Sequence, residues 1–129
     1  MNDKKNIYDI QIVCKVNITS DDIDDIIACA LEGGINYWCC CAEVTGKYLG
    51  DYASDQISRG GTLILHDAES SDKWELTLDK FLKGMKLAIE HGIGLSVNLA
   101  DGSIDISEID AEVADTIVQL GLFGEVMFG

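Results

Sequence analysis

Three consecutive cysteines, Cys39-Cys40-Cys41, have the most obvious capacity for chemistry in this chain. Neighbouring side chains of a strand point to opposite faces, so only Cys39 and Cys41 could share a face. Zinc would need two further ligands, and the sequence offers no CxxC pair or nearby histidine to supply them. We therefore interpret the cysteines as buried, reduced thiols of a cytoplasmic protein, and we expect no bound metal and no cofactor.

Aromatic residues and the only arginine form a second candidate site. Aromatic rings can stack on a nucleobase, and an arginine in a glycine-rich turn can bind a phosphate. The run Ser58-Arg59-Gly60-Gly61 provides such a turn. The alternative is that the aromatic side chains fill the core and that Arg59 forms a surface ion pair. The predicted ligand-binding residues are Tyr37, Trp38, Tyr52, Arg59 and Trp74.

Signatures of catalysis are scarce in the sequence. It contains no GxSxG, GxxxxGK[ST], HExxH or GxGxxG motif. The stretch from Asp101 to Glu112 resembles a calcium-binding loop, but its sixth position is Ile106 instead of the glycine that the sharp turn requires. We expect a binding protein with no catalytic residue, not an enzyme.

The formal charge of −14 restricts the partners of this chain. Binding to nucleic-acid phosphates or to an anionic membrane requires clustered lysine and arginine, so neither is expected. A basic protein surface is favoured, although acidity can also serve solubility alone. The carboxylates that could imitate a phosphate backbone are Asp21, Asp22, Asp24, Asp25, Glu32, Glu43, Asp51, Asp55, Glu69 and Asp72.

Hydrophobic periodicity predicts one α+β domain over residues 1–129, with a mostly antiparallel sheet and about three helices packed on it. Strands are predicted at 8–18, 35–44, 62–67 and 73–78, and a further hairpin is predicted around Asp101-Gly102. The 35–44 strand is apolar on both faces, which predicts a central strand or one that lines an interface; a buried helix segment is the alternative. Residues 46–61 could hold one or two short helical turns.

Three helices are predicted from capping residues and apolar stripes. The first begins at Thr19 or Ser20 and ends at Gly33 or Gly34 in left-handed geometry. The second begins after Thr77, and the third is predicted to begin with a capping box at Ser107. The apolar tail, 122–128, is expected to dock or pair. We expect neither a signal peptide nor a membrane-spanning helix.

Several stretches resemble small acidic accessory proteins carried on prophages and conjugative elements of anaerobic Gram-positive bacteria. The stretches are Leu31-Glu32-Gly33-Gly34-Ile35-Asn36-Tyr37-Trp38, the run from Gly50 to Gly61, Glu75-Leu76-Thr77-Leu78-Asp79-Lys80 and Leu122-Phe123-Gly124-Glu125. The resemblance covers most of the chain and carries over no functional residue. It implies a counter-defence role.

Two counter-defence functions follow from these observations. The first is a homo-oligomeric sponge that sequesters a nucleotide-derived immune signalling molecule, with the aromatic strand near Trp38 as a dimer seam lined by pockets. The alternative is an acidic decoy or steric inhibitor that binds the basic surface of a host defence protein, such as a nucleic-acid-binding nuclease, in the manner of an anti-CRISPR or anti-restriction protein.

Overall fold

Within residues 5–129, a three-stranded antiparallel sheet and three α-helices make up the core of the protein. The computed structural model describes residues 5–129. In chain order the main elements are α1 (Ser20–Cys29), β1 (Cys39–Val44), β2 (Leu63–Asp67), β3 (Lys73–Leu76), α2 (Leu78–Glu90) and α3 (Ala111–Phe123). The strand order is β1-β2-β3. The α+β class predicted from the sequence is confirmed.

The sheet is amphipathic because its side chains alternate between two faces. Leu63 and Leu65 of β2 are fully buried and oppose Leu76 and Trp74 of β3. The other face is polar, and the imidazole Nε2 of His66 lies 3.1 Å from a carboxylate oxygen of Glu43. The predicted hairpin of the second and third strands is therefore confirmed.

The predicted starts of the first two helices are also confirmed. Thr19 caps α1, and its side chain and that of Asp22 exchange hydrogen bonds with each other's backbone N–H. Thr77 caps α2. The predicted start of the third helix is wrong: Asp110, not Ser107, caps α3, because a separate 3₁₀ turn (Ile106–Glu108) occupies the residues just before it.

The largest correction concerns the predicted strand at 8–18, because residues 5–19 form no strand. The period-two pattern is real, but the described residues provide no ladder that would complete a strand. Residues 5–18 make one backbone–backbone hydrogen bond to the described chain, from the N–H of Asn17 to the carbonyl of Gly102, 2.7 Å. Ile10 and Val13 are exposed to solvent.

The predicted 35–44 strand is only partly present. β1 begins at Cys39, and Ile35–Trp38 instead forms a turn closed by hydrogen bonds to the carbonyl of Ile35. The prediction of a central position is wrong, because β1 is an edge strand of the sheet that the described residues form. Its apolar character comes from small cysteines, and the prediction that the cysteines are buried is wrong for Cys40 and Cys41, which are exposed.

The prediction of a left-handed glycine after α1 is wrong. Helix α1 continues into one π-helical turn (Ala30–Gly34), and neither Gly33 nor Gly34 has a positive φ. Gly34 is required for a different reason: a Cβ at this position would lie 2.6 Å from the carbonyl oxygen of Ala111. The glycine allows α3 to approach the end of α1.

Two further predicted regions, the hairpin at Asp101-Gly102 and residues 46–61, contain short structural elements. The hairpin around Asp101-Gly102 is reduced to one isolated bridge between Val97 and Ile104. Residues 46–61 contain two 3₁₀ turns, Ala53–Asp55 and Ile57–Arg59, as predicted. Within residues 5–129, no helix is both long and apolar enough to cross a bilayer.

Candidate functional site

Four aromatic rings form a cluster where the sheet, α3 and the C-terminal tail meet. Trp38 and Trp74 pack edge to face with ring centroids 5.7 Å apart. Phe128 of the tail stacks on Trp38 at 5.0 Å with the planes 5° apart, and Phe123 of α3 contacts both tryptophans. The predicted docking of the tail is confirmed, and the tail covers the Trp38 ring.

The carboxylate of Asp115 organises the polar side of this cluster. It accepts hydrogen bonds from the indole Nε1–H of Trp38 at 2.8 Å, from the hydroxyl of Tyr37 at 2.6 Å and from the amide of Gln119 at 2.9 Å. Asp115 is 7% exposed and Trp38 is 2% exposed. A buried carboxylate is tolerated here because three donors satisfy its oxygens.

Gln119 joins the same network to the tail. Its side-chain oxygen accepts hydrogen bonds from the backbone N–H groups of Met127 and Phe128, both at 2.8 Å. Its amide nitrogen donates to the carbonyl of Phe128 at 3.0 Å. The fully buried Gln119 therefore fixes the segment that carries the Phe128 ring.

Tyr37 is the only predicted site residue that is both part of this network and open to solvent. Its ring borders a shallow depression of about 380 Å³. Partial desolvation of its hydroxyl, followed by the hydrogen bond to the Asp115 carboxylate, raises the pKa of Tyr37 to about 12. The depression is also lined by Glu112 and Asp115, so it is unfavourable for an anion.

Arg59 lies in a different part of the molecule. Its guanidinium is 3.6 Å from the carboxylate of Asp24 on α1 and donates to the carbonyl of Asp55 at 2.9 Å. The structure therefore brings Tyr37, Trp38 and Trp74 together, while the contacts of Arg59 lead to α1. The surface ion pair that the sequence analysis left as an alternative is present.

Tyr52 lies near the C-terminal end of α1 and is 70% exposed. It borders a groove of about 310 Å³ together with Leu31, Glu32 and Ala28. The other lining residues are Ala53 and Ser54, so the groove is largely apolar, and Glu32 supplies a negative charge to it. This is the most exposed of the predicted site residues.

The acidic residues divide into those with structural roles and those left at the surface. Asp22 caps α1, Asp24 pairs with Arg59, and Asp55 accepts a hydrogen bond from the N–H of Tyr52. These three are poorly placed to serve a partner. The exposed carboxylates around α1 are Asp21, Asp25 and Glu32.

The three adjacent cysteines do not form a cation site. A bulge between Cys39 and Cys41 breaks the alternation, so Cys39 is buried while Cys40 and Cys41 are exposed. The expectation that Cys39 and Cys41 could share a face is wrong for this reason. Burial raises the pKa of the Cys39 thiol. Within residues 5–129, no three His, Cys, Asp or Glu side chains are grouped to hold a metal ion.

Asp115 and Gln119 were not among the predicted site residues. Both lie in the apolar run of α3, four residues apart and therefore on one helix face. Two polar residues at that spacing inside a buried stripe were a signal for an internal hydrogen-bond network.

No protein-family model, no curated protein and no solved structure matches this chain. The resemblance to accessory proteins of mobile elements therefore stays a prediction.

Proposed function

We propose that this protein is a non-catalytic binding protein that uses an acidic surface to occupy the basic surface of another protein. The partner class that fits best is a cytoplasmic defence nuclease whose own surface binds nucleic acid. The observation that carries the proposal is the acidic α1 surface, which we define as Asp21, Asp25, Glu32 and Tyr52.

The acidic α1 surface carries three carboxylates along α1 and the turn that extends it. Asp21 and Asp25 are four residues apart and lie on one helix face, and Glu32 follows on the turn that extends α1. All three are exposed. Negative charges along one edge attract a cationic groove and speed association with it.

Tyr52 supplies the apolar part of this surface. A solvent-exposed tyrosine beside an apolar groove is the type of residue that anchors protein interfaces. Its ring can also contact an arginine of a basic partner through a cation–π interaction. A charged stripe with an aromatic anchor therefore offers both attraction at a distance and contact area.

The sponge hypothesis has weaker support in the geometry. Arg59, the residue predicted to bind a phosphate, is paired with Asp24, and the rings of Trp38 and Trp74 are packed against Phe123 and Phe128. A nucleotide at the predicted site would have to displace these contacts. Sequestration of a nucleotide-derived signal stays a prediction, and a ligand search should include it.

The test is a charge reversal with a matched control. The site variant carries Asp21→Lys, Asp25→Lys and Glu32→Lys. The control carries three reversals at exposed glutamates elsewhere, Glu69→Lys, Glu75→Lys and Glu125→Lys. Both variants change the net charge by the same amount, so they separate the effect of location from that of total charge.

The readout is inhibition of DNA binding by a guide-loaded CRISPR nuclease and by a restriction endonuclease from an anaerobic Gram-positive bacterium. We expect the site variant to lose at least about ten-fold in inhibitory potency and the control to lose far less. The wild-type effect should also weaken as salt rises. Equal losses in both variants, or no inhibition by the wild type of either enzyme, would contradict the proposal. Melting temperatures check that both variants are folded.

A further inference from the structure

The N-terminal arm, residues 5–18, presents an apolar stripe that the described fold leaves uncovered. Tyr8 is 84% exposed, Ile10 83% and Ile12 63%. Three further residues of the same period-two stripe, Cys14, Val16 and Ile18, are half-buried. The stripe therefore starts on the body of the protein and continues beyond it. Isolated exposed apolar residues are common, but a regular stripe of them is typical of an interface.

The arm also has an unpaired edge. The N–H of Asn17 bonds to the carbonyl of Gly102. The carbonyl oxygen of Lys15 also faces Gly102, since it would meet a Cβ built there. The N–H and C=O groups of the odd-numbered residues therefore point towards the turn at Gly102. In an extended segment the even-numbered groups point the opposite way. No backbone–backbone hydrogen bond to the described chain uses residues 5–16. This edge is open to an added strand.

The body of the protein provides a place for side chains of such a strand. Cys14 and Val16 line a groove of about 430 Å³ against α2, together with Leu82, Met85 and Ile89. An added antiparallel strand would place its own side chains on the same face as those of the arm, next to this groove.

The arm is self-complementary in one register. When two arms pair antiparallel about Ile12, residue i lies opposite residue 24 − i, as the numbers of the facing residues sum to twice twelve. Tyr8 then faces Val16, Ile10 faces Cys14, and Ile12 faces its own copy, so apolar residues meet on one face. On the other face Asp9 lies opposite Lys15, and two-fold symmetry repeats this ion pair.

From this complementarity we infer that the protein forms a two-fold dimer through antiparallel pairing of its N-terminal arms about Ile12. The occupant of the open edge is the arm of a second copy, whose Ile10 and Tyr8 extend over the groove beside α2. The interface differs from the aromatic dimer seam expected from the sequence, because Trp38 is buried within the chain. It does not depend on the proposed function, which uses the acidic α1 surface.

The first experiment measures oligomeric state by native mass spectrometry and sedimentation equilibrium. We expect a dimer for the wild type and a monomer for Ile12→Lys, which places two like charges on the symmetry axis. Gln11→Lys is the matched control on the opposite face and should stay dimeric. A monomeric wild type at tens of micromolar would overturn the inference.

A charge exchange tests the register. Asp9→Lys should raise the dimer dissociation constant about ten-fold, because both symmetric ion pairs become repulsive. Adding Lys15→Asp in the same chain should restore the wild-type value. A double variant that is as weak as the single one would refute pairing of these two residues.

A cysteine cross-link gives an independent check. In a background with Cys14→Ala, Cys40→Ser and Cys41→Ser, we introduce Ile12→Cys. Facing residues in an antiparallel pair are about 5.5 Å apart at Cα, which suits a disulfide, so mild oxidation should give a covalent dimer. Ile10→Cys is the control. In this register the two copies of residue 10 are offset by four residues along the paired strands, roughly 13 Å, which is too far for a disulfide. Cross-linking at position 10 but not at 12 would overturn the register.

Discussion

Substitution of Asp115 tests whether its hydrogen-bond network stabilises the aromatic cluster. Asp115→Ala removes the acceptor of three donors, but two of them have another acceptor. Both the Tyr37 hydroxyl and the Gln119 amide lie 3.0 Å from the carbonyl of Phe128. Only the buried indole N–H of Trp38 is left without a partner. An unsatisfied buried donor costs about 1–3 kcal/mol, and loss of a bond to a charged group is of similar size. We expect a loss of about 3 kcal/mol in the free energy of unfolding.

Asp115→Asn is the matched variant, because its amide can replace the carboxylate in this geometry. One carboxylate oxygen accepts from both Trp38 and Gln119, and the other accepts only from Tyr37. An asparagine oxygen can take the first position. Its NH₂ can donate to the Tyr37 hydroxyl, which then donates to the tail carbonyl. Each of the three original donors keeps a partner, so we expect a loss of only about 1 kcal/mol.

The assay is urea denaturation followed by tryptophan fluorescence. The chain has two tryptophans, and both lie in the cluster, so the signal reports on it directly. Alanine and asparagine variants with equal stability would refute the assigned roles of the donors. An alanine variant within about 0.5 kcal/mol of the wild type would show that the network adds no net stability.

Three further predictions test other features of the structure. Gly34→Ala should destabilise the protein by about 1–3 kcal/mol in urea titrations, because the added Cβ would meet the backbone of α3. Gly33→Ala is the control and should be neutral or slightly stabilising, because a Cβ at that position would meet no other part of the described chain within 4 Å. The pKa of Tyr37 is about 12 in the folded state and about 10 in the unfolded state. The stability that its neutral hydroxyl contributes is therefore complete below pH 10 and is lost as the pH rises towards 12. The urea denaturation midpoint should fall over this pH range, and Tyr37→Phe should make that fall smaller. Under native conditions a maleimide should label Cys40 quickly and Cys39 only on unfolding, because Cys39 is buried and its thiol pKa is raised; equal rates would contradict the assigned burial.

Local signals predicted much of the regular structure. The caps at Thr19 and Thr77 act through residues three positions away, so the chain segment alone contains all the interacting groups. The β2–β3 hairpin was equally accessible, because its turn is short and its apolar residues alternate. The α+β class follows from such segments.

The candidate site was only partly predictable. The sequence indicated that Tyr37, Trp38 and Trp74 were notable, and the structure brings them together. It could not show that a carboxylate 77 residues from Trp38 binds the indole, or that the ring of Phe128 would cover it. Phosphate binding and a surface ion pair were both open for Arg59, and its pairing with Asp24, on a helix far earlier in the chain, required the tertiary structure.

The sequence by itself determined the features that depend on neighbouring residues: the helix caps at Thr19 and Thr77, the β2–β3 hairpin, the acidic charge and the apolar stripe of the arm. Only the tertiary structure decided which of these features are paired, buried or neutralised by a distant part of the chain. The stripe at 8–18 lacks a ladder partner within the described chain, Gly34 serves a close approach to α3 instead of a left-handed turn, and three aspartates are used in caps and an ion pair. The physical reason is the same in each case. Periodicity and composition describe one segment, whereas pairing, burial and charge compensation depend on the groups that a distant segment brings into contact.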